Sequence, residues 1–138
     1  MKNKILFINA CVRPESRTAE LSQHLLYILD GEITEVNLYK ENILPLCNMG
    51  LEKRELHDYS GVEFDYARQF SKADIIVIAA PFWDLSFPSV LKIYFENITV
   101  SGITFEYSEL GRPVGKCNER TGGGYAYGFA DKFFHLSC

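Results

Sequence analysis

Two short stretches of this 138-residue chain carry residue types from which a binding site could be built, and a third has the flexibility to assist. The first is the loop from Ala10 to Thr18. Ser16, Arg17 and Thr18 stand where a helix is predicted to begin. Free backbone N–H groups, hydroxyls and a guanidinium at such a place would hold a phosphate. The same residues would also make an ordinary N-cap with a solvated arginine. Arg13 adds a second cation nearby. The second stretch runs from Ala79 to Tyr107, AAPFWDLSFPSVLKIYFENITVSGITFEY. A strand ends in Ala79-Ala80-Pro81, and a turn with Phe82, Trp83, Asp84 and Leu85 follows. In an α/β sheet ligands sit beyond the carboxyl ends of the strands. A turn there offers backbone N–H groups beside a flat apolar surface, which a planar, heteroatom-rich ring requires. Phe82 and Trp83 would serve equally as core or interface aromatics. The third stretch is Thr121, Gly122, Gly123 and Gly124, where glycines permit close approach of the backbone to a ligand or simply make a mobile turn.

The elements that must position these loops follow a regular rhythm. Lys4 to Ala10 is a short apolar run, a buried strand. Thr18 to Asp30 carries Leu21, Leu25, Ile28 and Leu29 at helical spacing, with Gly31 as a stop. Ile33 to Leu38 alternates as a half-buried second strand. Tyr39 to Asp58 is a charged connection without a clean period, and Glu52-Lys53-Arg54-Glu55 reads as a solvated face. Ser60 and Glu63 have capping-box spacing ahead of a helix bearing Val62, Tyr66 and Phe70. Asp74 to Ala80 has the continuous apolar character of a central parallel strand. Pro88 suits the first turn of a further helix with Leu91, Tyr94, Phe95 and Ile98 facing inward. Strand and helix alternating in this way predict right-handed βαβ crossovers in a doubly wound sheet, one domain over 1–138. The rhythm breaks after Gly115-Lys116. Cys117-Asn118-Glu119-Arg120 is too polar for a buried strand. Phe129, Phe133 and Leu136 beyond it suggest one short helix.

Composition excludes several classes. At 47% hydrophobic and 23% charged residues the chain suits a soluble globular protein, and a net charge of −4 argues against nucleic acid or an anionic membrane as partner. No apolar run approaches the roughly 18 residues of a membrane span, and the start reads as a strand rather than a leader; the expected location is the cytoplasm. Cys11, Cys47, Cys117 and Cys138 are scattered without a Cys-x-x-Cys pair, so no metal site is assigned. Cys11, in the ligand loop, is expected to be exposed and oxidisable. His24, His57 and His135 sit in no ligand motif. The dinucleotide fingerprint and the P-loop are both absent. The Mg²⁺-binding acidic cluster of a receiver domain cannot be supplied by Asn9 and Ala10.

The pairing of Ala-Pro-x-aromatic-x-x-x-x-Pro-x-x-Leu-Lys with Gly-x-Thr-Phe-x-Tyr (Ala80 to Lys92, Gly102 to Tyr107) resembles the flavodoxin-like NAD(P)H:quinone oxidoreductases and FMN-dependent NADH-azoreductases. The resemblance implies a flavodoxin-like three-layer α/β/α fold with a parallel sheet. Its strand order would be 2-1-3, with a degraded fourth strand, no fifth, and a C-terminus incomplete relative to the family. That would leave one side of the Ile75–Ile78 strand unpaired. The resemblance places the FMN phosphate at Ser16, Arg17 and Thr18. It places the isoalloxazine ring on Phe82, Trp83, Asp84 and Leu85, and the ring's other edge near Thr121 to Gly124. Ala10 stands where many members have a serine, which implies weaker phosphate binding unless Arg13 compensates. Asp84 stands where several have Asn. Facing the ring, its carboxylate would disfavour the anionic reduced flavin; turned away, it would cap the next helix. The implied activity is two-electron reduction of quinones, azo compounds or similar small acceptors, with NADH or NADPH as donor. The cofactor carries that chemistry, so no catalytic side chain is named. A homodimer is implied. The competing expectation is a truncated remnant or interaction module with weak or no flavin binding and no catalysis.

Overall fold

β1 (Asn3–Asn9) is the central seam of the molecule, and its residues show why. Ile5, Leu6, Phe7 and Ile8 are all buried, successive side chains facing opposite sides of the sheet. Both faces therefore need cover, and a run of this kind settles between two parallel neighbours. The computed structural model describes residues 2–117 and the strands Tyr125–Phe129 and Lys132–Leu136. β1 pairs in parallel with β2 (Gly31–Asn37) on one side and β3 (Ile75–Ala79) on the other, with Ile5 opposite both Ile33 and Ile75. The 2-1-3 order expected from the sequence is present.

Two apolar layers form on the two faces. Ile5, Phe7, Val77 and Ala79 pack beneath α1 (Arg17–Ile28) through Leu25, Leu26 and Leu29. Leu6, Ile8, Ile76 and Ile78 pack under α3 (Asp65–Lys72) and α4 (Ser89–Ile98), which contribute Ala67, Leu91, Tyr94 and Ile98. Full burial of one such side chain stabilises by about 1.5–3 kcal/mol. The inward stripe expected of α4 is as read, with Phe95 at its margin. Pro88 is the residue before the helix rather than inside its first turn. Gly31 is not the stop of α1, which ends through an extended Leu29. It opens β2, and a Cβ there would lie 2.5 Å from the Asn3 carbonyl oxygen.

Four local expectations are corrected. The connection after β2 contains a helix, α2 (Asn48–Glu55), which has no buried residue of its own and hence no apolar period to betray it. Its Lys53 and Arg54 are not merely solvated. Lys53 pairs with Glu63. Arg54 donates to the carbonyls of Thr99 (2.9 Å), Glu96 (3.1 Å) and Asn97 (3.0 Å) at the end of α4. The Ser60–Glu63 capping box does not form, because Ser60 bonds Asp58 at 2.7 Å and Glu63 is taken by Lys53. Val62 lies in a single 3₁₀ turn (Val62–Phe64) and is 79% exposed; Phe64 is the residue that turns inward.

The C-terminal third differs most. After α4 the chain makes a hairpin of β4 (Phe105–Tyr107) and β5 (Pro113–Gly115). The outer edge of β3 is not left bare. β6 (Tyr125–Phe129) pairs with it in parallel, Ile76 opposite Tyr125 and Ala79 opposite Gly128. The expected short helix is instead β7 (Lys132–Leu136), antiparallel to β6 at the sheet edge. So a fourth strand is present, later in the chain than expected, and the fifth position holds an antiparallel strand. The run Lys132–Leu136, apolar only at Phe133, Phe134 and Leu136, satisfies a helical or an extended pattern equally well, and pairing decides between them.

Arg54 ties α2 to the end of α4 in a way that a mutation can test. Burial pulls its guanidinium below its ordinary pKa, and the three carbonyls offset that cost. Arg54→Ala is expected to destabilise by about 2–3 kcal/mol in urea unfolding, with Arg54→Lys recovering less than half, since a point charge cannot span a fork of acceptors. Tyr66, whose hydroxyl donates to Glu41 at 2.6 Å, has its pKa pushed up to about 12, by burial first and by Glu41 second. A raised phenol pKa gives stability that is whole below the unfolded value near 10 and lost as pH rises towards 12. Unfolding free energy is therefore expected to fall over that window and to fall less in Tyr66→Phe.

Candidate functional site

Because the first three strands are parallel, their carboxyl ends open on the same side, and two loops meet there. The β1–α1 loop and the segment after β3 enclose a cleft of about 380 Å³, lined by Val12, Arg13, Glu15, Ser16, Arg17, Thr18, Pro81 and Trp83. The structure thus brings the phosphate-type residues and Trp83, far apart in the chain, into one place. Arg13 and Arg17 are both exposed against one acid, Glu15, and the start of α1 adds its partial positive charge. An anion suits this end.

Each loop residue has a defined part. Ser16 is the N-cap of α1, its Oγ accepting the Ala19 N–H at 3.2 Å. The first helical N–H groups, those of Arg17 and Thr18, have no intrahelical acceptor, as at any helix start. Thr18 is buried and forms the floor of the cleft rather than its rim. Cys11 departs from expectation. It is 9% exposed, with Sγ 3.7 Å from the Ala79 carbonyl oxygen. Burial raises its thiol pKa, with the Ser16 hydroxyl pulling the other way. It is therefore a packing residue, not an oxidisable one. Glu15 and Val12 were not anticipated, and nothing in their local sequence marks them.

The turn after Pro81 is tighter than its sequence suggests. Trp83 and Ser86 exchange backbone hydrogen bonds, both 2.8 Å, across Asp84 and Leu85. Asp84 and Leu85 have φ of 48° and 62°, which makes this a type I′ turn. The Trp83 N–H is therefore spent within the turn, and the donors left at its tip are those of Asp84 and Leu85. Asp84 does not cap α4, whose N-cap Pro88 has no side-chain partner. Asparagine and aspartate tolerate the left-handed region; leucine does so at a cost of about 1–2 kcal/mol. Leu85 is nonetheless 88% exposed, so no burial compensates in the free protein. Trp83 (41%) and Phe82 (49%) present their rings to solvent, so neither is a core aromatic. Thr121 to Gly124 lie outside the described residues.

A larger groove, about 700 Å³, runs between the residues 41–54 and 62–69, with Leu44, Leu46, Met49 and Val62 on its walls. Its cations are engaged, Lys53 by Glu63 and Arg54 by backbone carbonyls, so it lacks what the smaller cleft offers an anion. Among the described residues no group of three or more His, Cys, Asp or Glu is placed to hold a metal ion, and no helix is long and apolar enough to cross a membrane.

Relief of the turn's backbone strain is measurable. Leu85→Gly is expected to raise the unfolding free energy by about 0.5–1 kcal/mol, and Leu85→Val to lower it. A loss of stability in the glycine variant would show that the leucine is held by contacts instead.

Comparison with known proteins agrees with this geometry. A profile described as flavodoxin-like fold matches residues 3–130. The chain is 41% identical over 121 residues to an FMN-dependent NADH:quinone oxidoreductase of Coprothermobacter proteolyticus, covering 78% of this chain and 59% of that protein. It is 39% identical over 143 residues to FMN-dependent NADH:quinone oxidoreductase 2 of Clostridium acetobutylicum, covering 91% and 71%. Among solved structures, an azoreductase from Bacillus anthracis superimposes with a TM-score of 0.72 at 27% identity, covering 82% of this chain and 62% of that one. An FMN-dependent NADH-azoreductase from the same species, in complex with FMN, gives 0.67 at 28% identity, with the same coverage. The chain thus spans about 60–70% of the length of these relatives. With the profile matched over residues 3–130 and relatives about 40% identical across most of the chain, the chain belongs to the flavodoxin-like fold family, beside the FMN-dependent NADH:quinone oxidoreductases and azoreductases.

Proposed function

We propose that the chain binds FMN in the cleft between the β1–α1 loop and the Pro81–Leu85 turn, and that it serves as an FMN-dependent NAD(P)H oxidoreductase. Quinones, azo compounds or similar small molecules would be the acceptors. One observation carries the reading: Ser16, Arg17 and Thr18 share a cleft with Trp83, so a phosphate donor set and a flat aromatic surface face one ligand. The names of the relatives support the same cofactor and donor.

The residues present fit that group. The N–H groups at the start of α1, with the Arg17 and Arg13 guanidinia, would hold the phosphate. Trp83 would lie against the ring, and the N–H groups of Asp84 and Leu85 would meet its polar edge, pre-aimed by the type I′ turn. When bound, FMN supplies the two-electron chemistry, so the protein's part is to orient and to donate hydrogen bonds where negative charge develops. Leu85 would gain burial from the ring that it lacks in the free protein. In this reading the protein is a single cytoplasmic domain acting as a homodimer.

The competing reading, a truncated remnant or interaction module with weak or no flavin binding and no catalysis, drew on an unpaired β3 edge and on a chain shorter than its relatives. β6 occupies that edge, and the shorter length stands.

Titration of the purified protein with FMN, followed by flavin fluorescence, tests the proposal. Saturation at about micromolar FMN, with NADH oxidised in the presence of a quinone, is the expected result, and no binding near millimolar, worth about 4 kcal/mol, would sink it. Two variants assign the halves of the site. Arg17→Ala is expected to weaken FMN about tenfold and leave riboflavin nearly unchanged. Trp83→Ala is expected to weaken both alike.

A further inference from the structure

Asn9 lines no part of the cleft, yet it joins the elements that form the cleft's back wall. It ends β1, opposite Asn37 of β2 and Ala79 of β3. Its carbonyl accepts the Leu38 N–H at 2.9 Å. Its side-chain Nδ2 donates to Glu35 Oε1 at 2.9 Å, and its Oδ1 accepts the N–H of Cys11 at 3.0 Å. The second bond closes an Asx turn, by which the chain leaves the strand and enters the loop. Between these two residues the Ala10 N–H is held by the Ala79 carbonyl at 2.8 Å. Cys11 then packs against β3 and beside Ser16, the cap of α1. An unbroken set of contacts therefore runs from Glu35 on the edge strand through Asn9 and Cys11 to the helix start.

We infer that Asn9 is a positioning residue for the phosphate end of the cleft, oriented by Glu35, and that this pair sets how strongly the phosphate of FMN is held. The inference rests on the FMN reading above. Only a carboxamide answers both neighbours, because it accepts from Cys11 and donates to a carboxylate with the same group. Aspartate would keep the acceptor but set a second carboxylate against Glu35. Alanine would leave the part-buried Cys11 N–H without its partner. Either change frees the loop that carries Arg13 and Ser16, and the donors at the start of α1 lose their alignment with Pro81 and Trp83.

The test compares FMN with riboflavin, which lacks the phosphate, in the wild type, Asn9→Asp, Asn9→Asp with Glu35→Gln, and Glu35→Ala. Thermal unfolding is recorded for each. Asn9→Asp is expected to weaken FMN about tenfold while riboflavin changes less than about threefold. The double variant is expected to regain most of the loss. There the amide introduced by Glu35→Gln donates to the second carboxylate oxygen of Asn9→Asp, while the first keeps the Cys11 N–H. The double variant has the wild type's net charge at this pair, so Glu35→Ala decides the cause: it removes the same charge as Glu35→Gln, and a weaker rather than a stronger hold on FMN there would assign the recovery to the hydrogen bonds rather than to the charge. Glu35→Ala, at an exposed position, is expected to shift the FMN-to-riboflavin ratio in the same direction more weakly, and it serves if Asn9→Asp fails to fold. Equal losses for both ligands, or an unchanged ratio in a wild type that binds FMN, would overturn the positioning role alone. A wild type that binds neither ligand would overturn the FMN reading and this inference with it.

Discussion

Parallel pairing of β1 with both β2 and β3 is the constraint on which the rest of the structure depends. A strand with apolar side chains on both faces is stable only inside a sheet covered on both sides. That requirement sends α1 to one face and α3 and α4 to the other. Parallel pairing also places the carboxyl ends of β1, β2 and β3 together. The cleft is a consequence of this topology rather than a feature added to it, since the loops leaving β1 and β3 have nowhere else to meet.

Around this frame the irregular segments are held by polar contacts to backbone. Arg54 ties α2 to the carbonyl end of α4. Tyr59 donates to the Ser101 carbonyl at 2.6 Å, and the buried Thr104 hydroxyl bridges the Ile98 carbonyl and the Val100 N–H. These bonds hold the chain that leads out of α4 into the β4–β5 hairpin. Beside the cleft the backbone is strained. The Trp83–Ser86 turn keeps two non-glycine residues at positive φ beside the cleft, with Leu85 turned to solvent. A strained, apolar turn tip next to a cationic loop is consistent with a site whose ligand completes the packing.

The C-terminal strands bear on the functional reading. With β6 along β3, the sheet has four parallel strands rather than three. The sheet edge moves outward to β7. The comparisons show relatives that are longer than this chain, and the shared part holds the elements that build the cleft.

The sequence by itself determined the parallel core and the loops that would carry a site, and the 2-1-3 order came with the family resemblance. The core and the loops follow from apolar runs, helical spacing and helix-start residues, which are local signals. The stretch from Ala79 to Tyr107 and the loop from Ala10 to Thr18 were legible for that reason. The pairing partner of β3, the extended form of Lys132–Leu136 and the existence of α2 were decided only in three dimensions. A short apolar run has no period long enough to separate helix from strand, and a helix without a buried face has none at all. The parts played by Asn9, Glu35, Arg54 and Cys11 belong to the same class. Each is set by a partner distant in the chain or by burial, and an exposed-looking polar residue gives no local sign of the backbone group that it will meet.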